Sequence, residues 1–122
     1  LLLAGCLAGT AGLAAPLRAQ LVQEALAAAP ACRALGATRS AVAPCRDAVR
    51  HEPTDAGLRA RLGDALAAAG DEDGALGAYR EAIRLAPDSA AGWFGAARLY
   101  DRRGNRREAL RHYQGYARLT PT

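Results

Sequence analysis

A period of 34 residues constrains this chain more than any other feature. Pro53, Pro87 and Pro121 recur at that interval, and so do Gly36, Gly70 and Gly104. The same spacing links Ala41, Ala75 and Ala109, then Val42, Leu76 and Leu110, then Cys45, Tyr79 and Tyr113, and finally Arg50, Arg84 and Arg118. A period in this range marks stacked supersecondary units, each too small to bury its apolar face alone.

Each register has a physical reason. A glycine adopts positive φ at no steric cost, so it can end a helix. A proline cannot continue one, so it closes the unit. The alanines fall where two helices approach closely, and the larger residue four positions later fills the gap. In the middle unit, Ala75, Leu76, Tyr79, Ala82 and Ile83 keep helical spacing. Before them, Leu58, Leu62, Leu66 and Ala69 form one stripe, with Gly63 beside it. Each unit therefore reads as helix, glycine turn, helix, proline stop. Apolar residues make up 51% of the chain but aromatics only 5%, so alanine-lined helix contacts must supply much of the core. No Val/Ile/Thr-rich alternating run suggests a sheet, and the fold class is all-α.

These residues resemble the tetratricopeptide repeat family. Residues 56–89 carry Leu62-Gly63, Leu66, Ala75, Tyr79, Ala82 and Pro87, and depart at Arg59, where the family prefers an aromatic. Residues 90–122 carry Trp93, Ala97, Tyr100, Ala109, Tyr113 and Pro121, and depart at Tyr116, where a small residue is usual. Residues 20–55 form a degenerate first unit with Ala29, Gly36, Ala41, Ala48 and Pro53, in which Pro30 and Pro44 should kink or shorten the helices. The resemblance implies a right-handed superhelix of about three antiparallel hairpins, an α-α solenoid whose first helices line a concave groove. By register, the groove residues are Arg61 and Asp64 in the middle unit and Phe94, Arg98, Asp101 and Arg102 in the last, with Arg33 from the first. The arginines would pair with carboxylates of a protein or peptide partner, and Phe94 would anchor an apolar side chain. Family members that clamp a terminal carboxylate use Lys and Asn. This chain has no lysine and one asparagine, Asn105, so arginine would have to substitute.

The first residues point to export. Residues 1–17 are uncharged and Arg18-Ala19-Gln20 follow, as in the apolar core and exit of a secretory signal over residues 1–19. The basic leading region and initiator Met are missing, which implies an upstream start. Three readings fit: cleavage after Ala19, lipidation at Cys6 in the lipobox-like Leu3-Ala4-Gly5-Cys6, or retention of residues 1–17 as a membrane anchor. All three place the chain outside the cytoplasm, periplasmic if cleaved. An exported chain with Cys32 and Cys45 left over suggests a disulfide, against the alternative of two buried thiols. In the resemblance, Cys32 takes the place of Leu66 and Tyr100, and Cys45 that of Tyr79 and Tyr113, positions that face each other inside a family hairpin.

No catalytic constellation, cofactor loop or metal spacing emerges. His51 precedes Glu52-Pro53 near a helix end, where its cationic form suits the helix dipole. His112 reads as a partly exposed helical residue. Asp71-Glu72-Asp73 reads as negative charge at a helix N-terminus. The net charge is +4, and Arg102, Arg103, Arg106 and Arg107 form its densest cluster, flanked by Asp101 and Glu108. That cluster reads as a solvated face; a nucleic-acid-binding repeat is the alternative. The expected function is a non-enzymatic interaction scaffold of the bacterial envelope, with no small-molecule substrate and no nucleic acid; a further alternative is the interaction arm of a larger enzyme. Because the chain stops after Pro121, the face of Leu110, Tyr113 and Ala117 is expected to lie open: either the chain is truncated there, or a second copy or a partner covers the face, and self-association or poor solubility is expected.

Overall fold

The computed structural model describes the backbone of residues 2–119, and the side chains from residue 16 onward except Ala25. The expectations for Cys6 and Pro121 lie outside what is described. Among the described residues six α-helices follow one another: α1 (Leu2–Leu35), α2 (Val42–His51), α3 (Ala56–Ala68), α4 (Glu72–Leu85), α5 (Ala90–Arg102) and α6 (Arg106–Leu119), with a short 3-10 turn (Arg39–Ala41) before α2. They pair as α1–α2, α3–α4 and α5–α6, and each hairpin packs on the next, giving a helical solenoid.

The three periodic glycines end helices as expected. Gly36, Gly70 and Gly104 have φ of 63°, 88° and 76°. At Gly70, the Asp71 N–H donates to the Leu66 carbonyl at 2.9 Å and the Gly70 N–H to Ala67 at 3.1 Å. At Gly104, the Asn105 and Gly104 N–H groups reach Tyr100 (2.9 Å) and Asp101 (3.0 Å) in the same way. This doubly bonded ending satisfies carbonyls that the helix leaves open. The next residue then starts the following helix. Asp71 accepts from the Gly74 N–H at 2.9 Å, and Asn105 from the Glu108 N–H at 3.3 Å. Asp55 and Ser89, also one period apart, cap α3 and α5 by accepting from Leu58 (3.0 Å) and Gly92 (3.2 Å). Gly104→Ala is expected to cost about 1 kcal/mol, because a Cβ disfavours this left-handed turn; urea unfolding will read it as a lower midpoint.

The core lies between successive helices. One cluster joins α1, α2 and α3 through Ala28, Cys32, Ala41, Cys45, Ala48, Val49, Leu58 and Ala65. A second joins α3 to α6 through Leu66, Ala75, Leu76, Tyr79, Ala96, Leu99, Tyr100 and Ala109, among others. Ala41 and Ala75 are fully buried and Ala109 nearly so, as close helix approach demands. The Tyr79 ring is wedged between two glycines. A Cβ added at Gly63 would lie 2.7 Å from it, and one at Gly95 2.3 Å from it.

Two expectations change. Pro30 does not end its helix: α1 runs through both Pro16 and Pro30 to Leu35. The bond that Pro30 forfeits is to the Leu26 carbonyl, on a turn where both residues are exposed and water can take the acceptor. Pro44 instead falls in the first turn of α2, where a missing N–H is tolerated, and α2 has 10 residues against 14 in α4 and α6. The other change concerns His112, which is buried at 8% exposure rather than partly exposed. Its ring lies 5.4 Å from that of Trp93 and 5.0 Å from that of Tyr100, and its Nδ1 is 2.8 Å from the Glu108 carbonyl oxygen.

The first hairpin is closed by a disulfide between Cys32 on α1 and Cys45 on α2, both fully buried. Arg59 stands where the last unit has Trp93, and it does part of the same work. Its Nη2 donates to the Pro53 carbonyl at 3.2 Å, while Trp93 Nε1 donates to the Pro87 carbonyl at 2.7 Å. The small residue missing at Tyr116 sits one position earlier. A Cβ at Gly115 would come 2.5 Å from the Trp93 ring, so the indole occupies that place.

Candidate partner-binding groove

α3 and α5 lie side by side as the first helices of their hairpins. Between them is a depression of about 220 Å³, lined by Asp64, Ala67 and Ala68 of α3, Gly95, Arg98, Leu99 and Arg102 of α5, Tyr79 and Ala37. It adjoins a second, of about 320 Å³, lined by Arg98, Asp101, Arg102 and Tyr113. Arg98 and Arg102 belong to both, one helical turn apart.

The electrostatics differ from residue to residue. Tyr79 donates its hydroxyl to Asp64 at 2.5 Å. Burial first, and then that bond, push the Tyr79 phenol far above its ordinary range, so it remains a neutral donor. Asp101 accepts from the Tyr113 hydroxyl at 3.5 Å. Arg102 Nη1 reaches Glu72 of α4 at 3.1 Å. Arg98 has no carboxylate within ion-pair distance among the described residues; its guanidinium lies 5.8 Å from the centroid of the Phe94 ring. Phe94 is 41% exposed and packs against Tyr113 (6.1 Å between centroids) and Tyr116 (5.1 Å).

Of the residues that the spacing picked out, Asp64, Arg98, Asp101 and Arg102 thus share one trough, and Phe94 joins its rim through Arg98. Arg61 is exposed and lines neither depression. It is in register with Gly95, which does line the first depression, so the register does not account for its separation. Arg33 is tied loosely to Asp55 at 3.9 Å. Sequence reasoning missed Tyr79 as a trough residue, because its register marked it only as core. It also missed the bonds of Arg103 to Glu72 (3.4 Å) and Asp73 (2.6 Å). The bond to Asp73 is the leading influence that raises the Arg103 pKa above its ordinary value. Among the described residues, no group of three His, Cys, Asp or Glu side chains is placed to hold a metal ion, and no helix is long and apolar enough to cross a membrane.

Residues 56–99, which span α3, α4 and most of α5, match the family model of the tetratricopeptide repeat. Residues 56–99 carry the tetratricopeptide repeat. Solved structures agree. The chain is similar to the crystal structure of MamA, at 22% identity and a TM-score of 0.62, over 65% of this chain and 46% of that one. It is also similar to two MamA point-mutant structures, at 28% identity and TM-score 0.62 for one and 29% and 0.59 for the other. These alignments cover 67% and 65% of this chain, and 60% and 46% of the mutant chains. The chain therefore spans about half the length of the MamA chains it matches. No curated protein matches it. The repeat is an interaction fold, and these tetratricopeptide repeats imply protein partners.

Proposed function

We propose that the chain is a non-enzymatic scaffold of the bacterial cell envelope whose trough holds an extended segment of a protein partner. One observation carries this reading: Arg98 projects from α5 between two depressions, without a carboxylate of its own, beside the exposed ring of Phe94. An acidic side chain of the partner would pair with Arg98, and an apolar neighbour would pack on Phe94, Tyr113 and Tyr116. The Tyr79 hydroxyl and Asp64 hold the floor in place. Export is supported by the uncharged residues 1–17 and by the Cys32–Cys45 disulfide, which is at home in an oxidising compartment. The nucleic-acid alternative is weakened because Arg102 and Arg103 are already bonded to Glu72 and Asp73.

Selection from a displayed peptide library tests the trough directly. Enriched peptides are expected to place Asp or Glu next to an apolar residue. Arg98→Glu should weaken their binding by about tenfold or more, the effect of turning a charge pair into a repulsion. Phe94→Ala should weaken it several-fold. If the same peptides bind both variants as tightly as the parent, the trough is not the binding surface.

A further inference from the structure

α6 repeats α4 one period later, and α4 shows what such a helix presents to its neighbour. α4 packs between α3 and α5, with the Tyr79 ring against Gly95 of α5, and its Leu76 and Tyr79 are 6% and 3% exposed. Their equivalents on α6 are Leu110, which is 59% exposed, and Tyr113, which is half-buried. The same interface is pinned at one end by charge. Arg102 and Arg103, at the end of α5, bond to Glu72 and Asp73 in the first turn of α4. One period on, Glu72 and Asp73 become Arg106 and Arg107. Both signs are reversed.

Arg106 and Arg107 are exposed and have no ion-pair partner among the described residues. They also occupy the first turn of α6, where the helix dipole favours anions and disfavours cations. α4 places its acids there, in the favourable sense. The reversal is therefore locally unfavourable within this chain, and an external carboxylate would relieve it.

We propose that the exposed face of α6 docks a helix of a protein partner that lays an apolar stripe over Leu110 and Tyr113 and brings two carboxylates in its last turn to Arg106 and Arg107. The α4–α5 contact supplies the geometry, and the reversed charges supply the specificity. A second copy of this chain fits poorly. Its α5 ends in Arg102 and Arg103, and its α1 ends in Arg33, Ala34 and Leu35, so neither brings an acid to the required place. The surface shares Tyr113 with the trough around Arg98, but Leu110, Arg106 and Arg107 line neither depression, and the charge preference does not depend on how that trough is used.

Two synthetic peptides test the proposal. One copies residues 89–104 of the chain; the other is identical except for Arg102→Glu and Arg103→Glu. Fluorescence anisotropy at low salt is expected to show the acidic form binding about tenfold more tightly, from two exposed charge pairs and their like-charge opposites. The gap should narrow in high salt. In the protein, Arg106→Glu with Arg107→Glu should invert the preference, and Leu110→Asp should weaken both peptides. Equal affinities, or a preference that survives the inversion, would overturn the proposal. So would acidic-peptide binding that is indifferent to Leu110→Asp and displaced by a DNA duplex, which would assign the arginines to nucleic acid. Leu110→Cys provides a readout in the natural full-length protein. Fast labelling by a soluble maleimide, blocked by the acidic peptide, is expected. Protection without peptide would mean that a segment of the chain itself or a second copy already covers the face, and would overturn the proposal.

Discussion

Opening the Cys32–Cys45 bond will loosen the first hairpin and leave the other two intact. The bond closes a loop with a sequence separation of 13, and in the chain-entropy view that contributes about 3 kcal/mol. The hairpin has little else to replace it. α2 is short, its N-cap Ala41 provides no side-chain hydrogen bond, and Pro44 occupies its first turn. α4 and α5, by contrast, start on the Asp71 and Ser89 caps. Cys45 also stands where Tyr79 wedges the second hairpin, so the disulfide takes over a packing position as well as closing a loop. Each unit of a solenoid contacts only its neighbours, so the loss stays local. Reduction, or Cys32→Ala with Cys45→Ala, should speed amide exchange in α1 and α2 by about a hundredfold, the equivalent of about 3 kcal/mol. Exchange in α4 to α6 should hardly change. Equal exchange in the oxidised and reduced proteins would show that α1–α2 packing alone holds the hairpin.

What the spacing revealed and what it hid have a common cause. A period encodes contacts that equivalent positions make in every unit. Gly36, Gly70 and Gly104 all need positive φ, and Ala41, Ala75 and Ala109 all need to be small, so both sets stand out in the sequence. The cysteine pair was legible for the same reason: both residues occupy periodic core positions. The trough was partly legible, because α3 and α5 turn equivalent faces toward it. Arg61 stands apart from both depressions although its register partner, Gly95, lines one of them, so the period does not carry that difference. Departures from the period were hidden. Arg59 does the work of Trp93 through a long side chain whose reach no spacing reports. The burial of His112 follows from two particular rings, Trp93 and Tyr100, though its equivalent Ala78 is buried too. The ion pairs of Arg102 and Arg103 with Glu72 and Asp73 have no counterpart one period away, so repetition could not reveal them.

The sharpest test of the packing sets two glycine-to-alanine changes against each other. Gly77 and Gly95 both lie inside helices, where alanine is favoured over glycine by about 1 kcal/mol. At Gly77, which is exposed, a Cβ meets nothing within 4 Å, so Gly77→Ala should stabilise the protein by about that amount. At Gly95, a Cβ would lie 2.3, 2.4 and 2.8 Å from three atoms of the Tyr79 ring. The ring cannot retreat, because Gly63 backs its other face and its hydroxyl is bonded to Asp64. α5 must then move away from α4, and overpacking of this kind costs about 1–3 kcal/mol. The steric cost outweighs the propensity gain, so Gly95→Ala should destabilise by about 1–2 kcal/mol. The two substitutions should therefore move the urea midpoint in opposite directions. A double-mutant cycle identifies the ring as the cause. In a Tyr79→Leu background, Gly95→Ala should lose its penalty and approach the behaviour of Gly77→Ala, a coupling of at least 1 kcal/mol. If Gly95→Ala is as benign as Gly77→Ala in the parent protein, α4 and α5 do not meet through that ring. The side of the trough that carries Arg98 would then need another support.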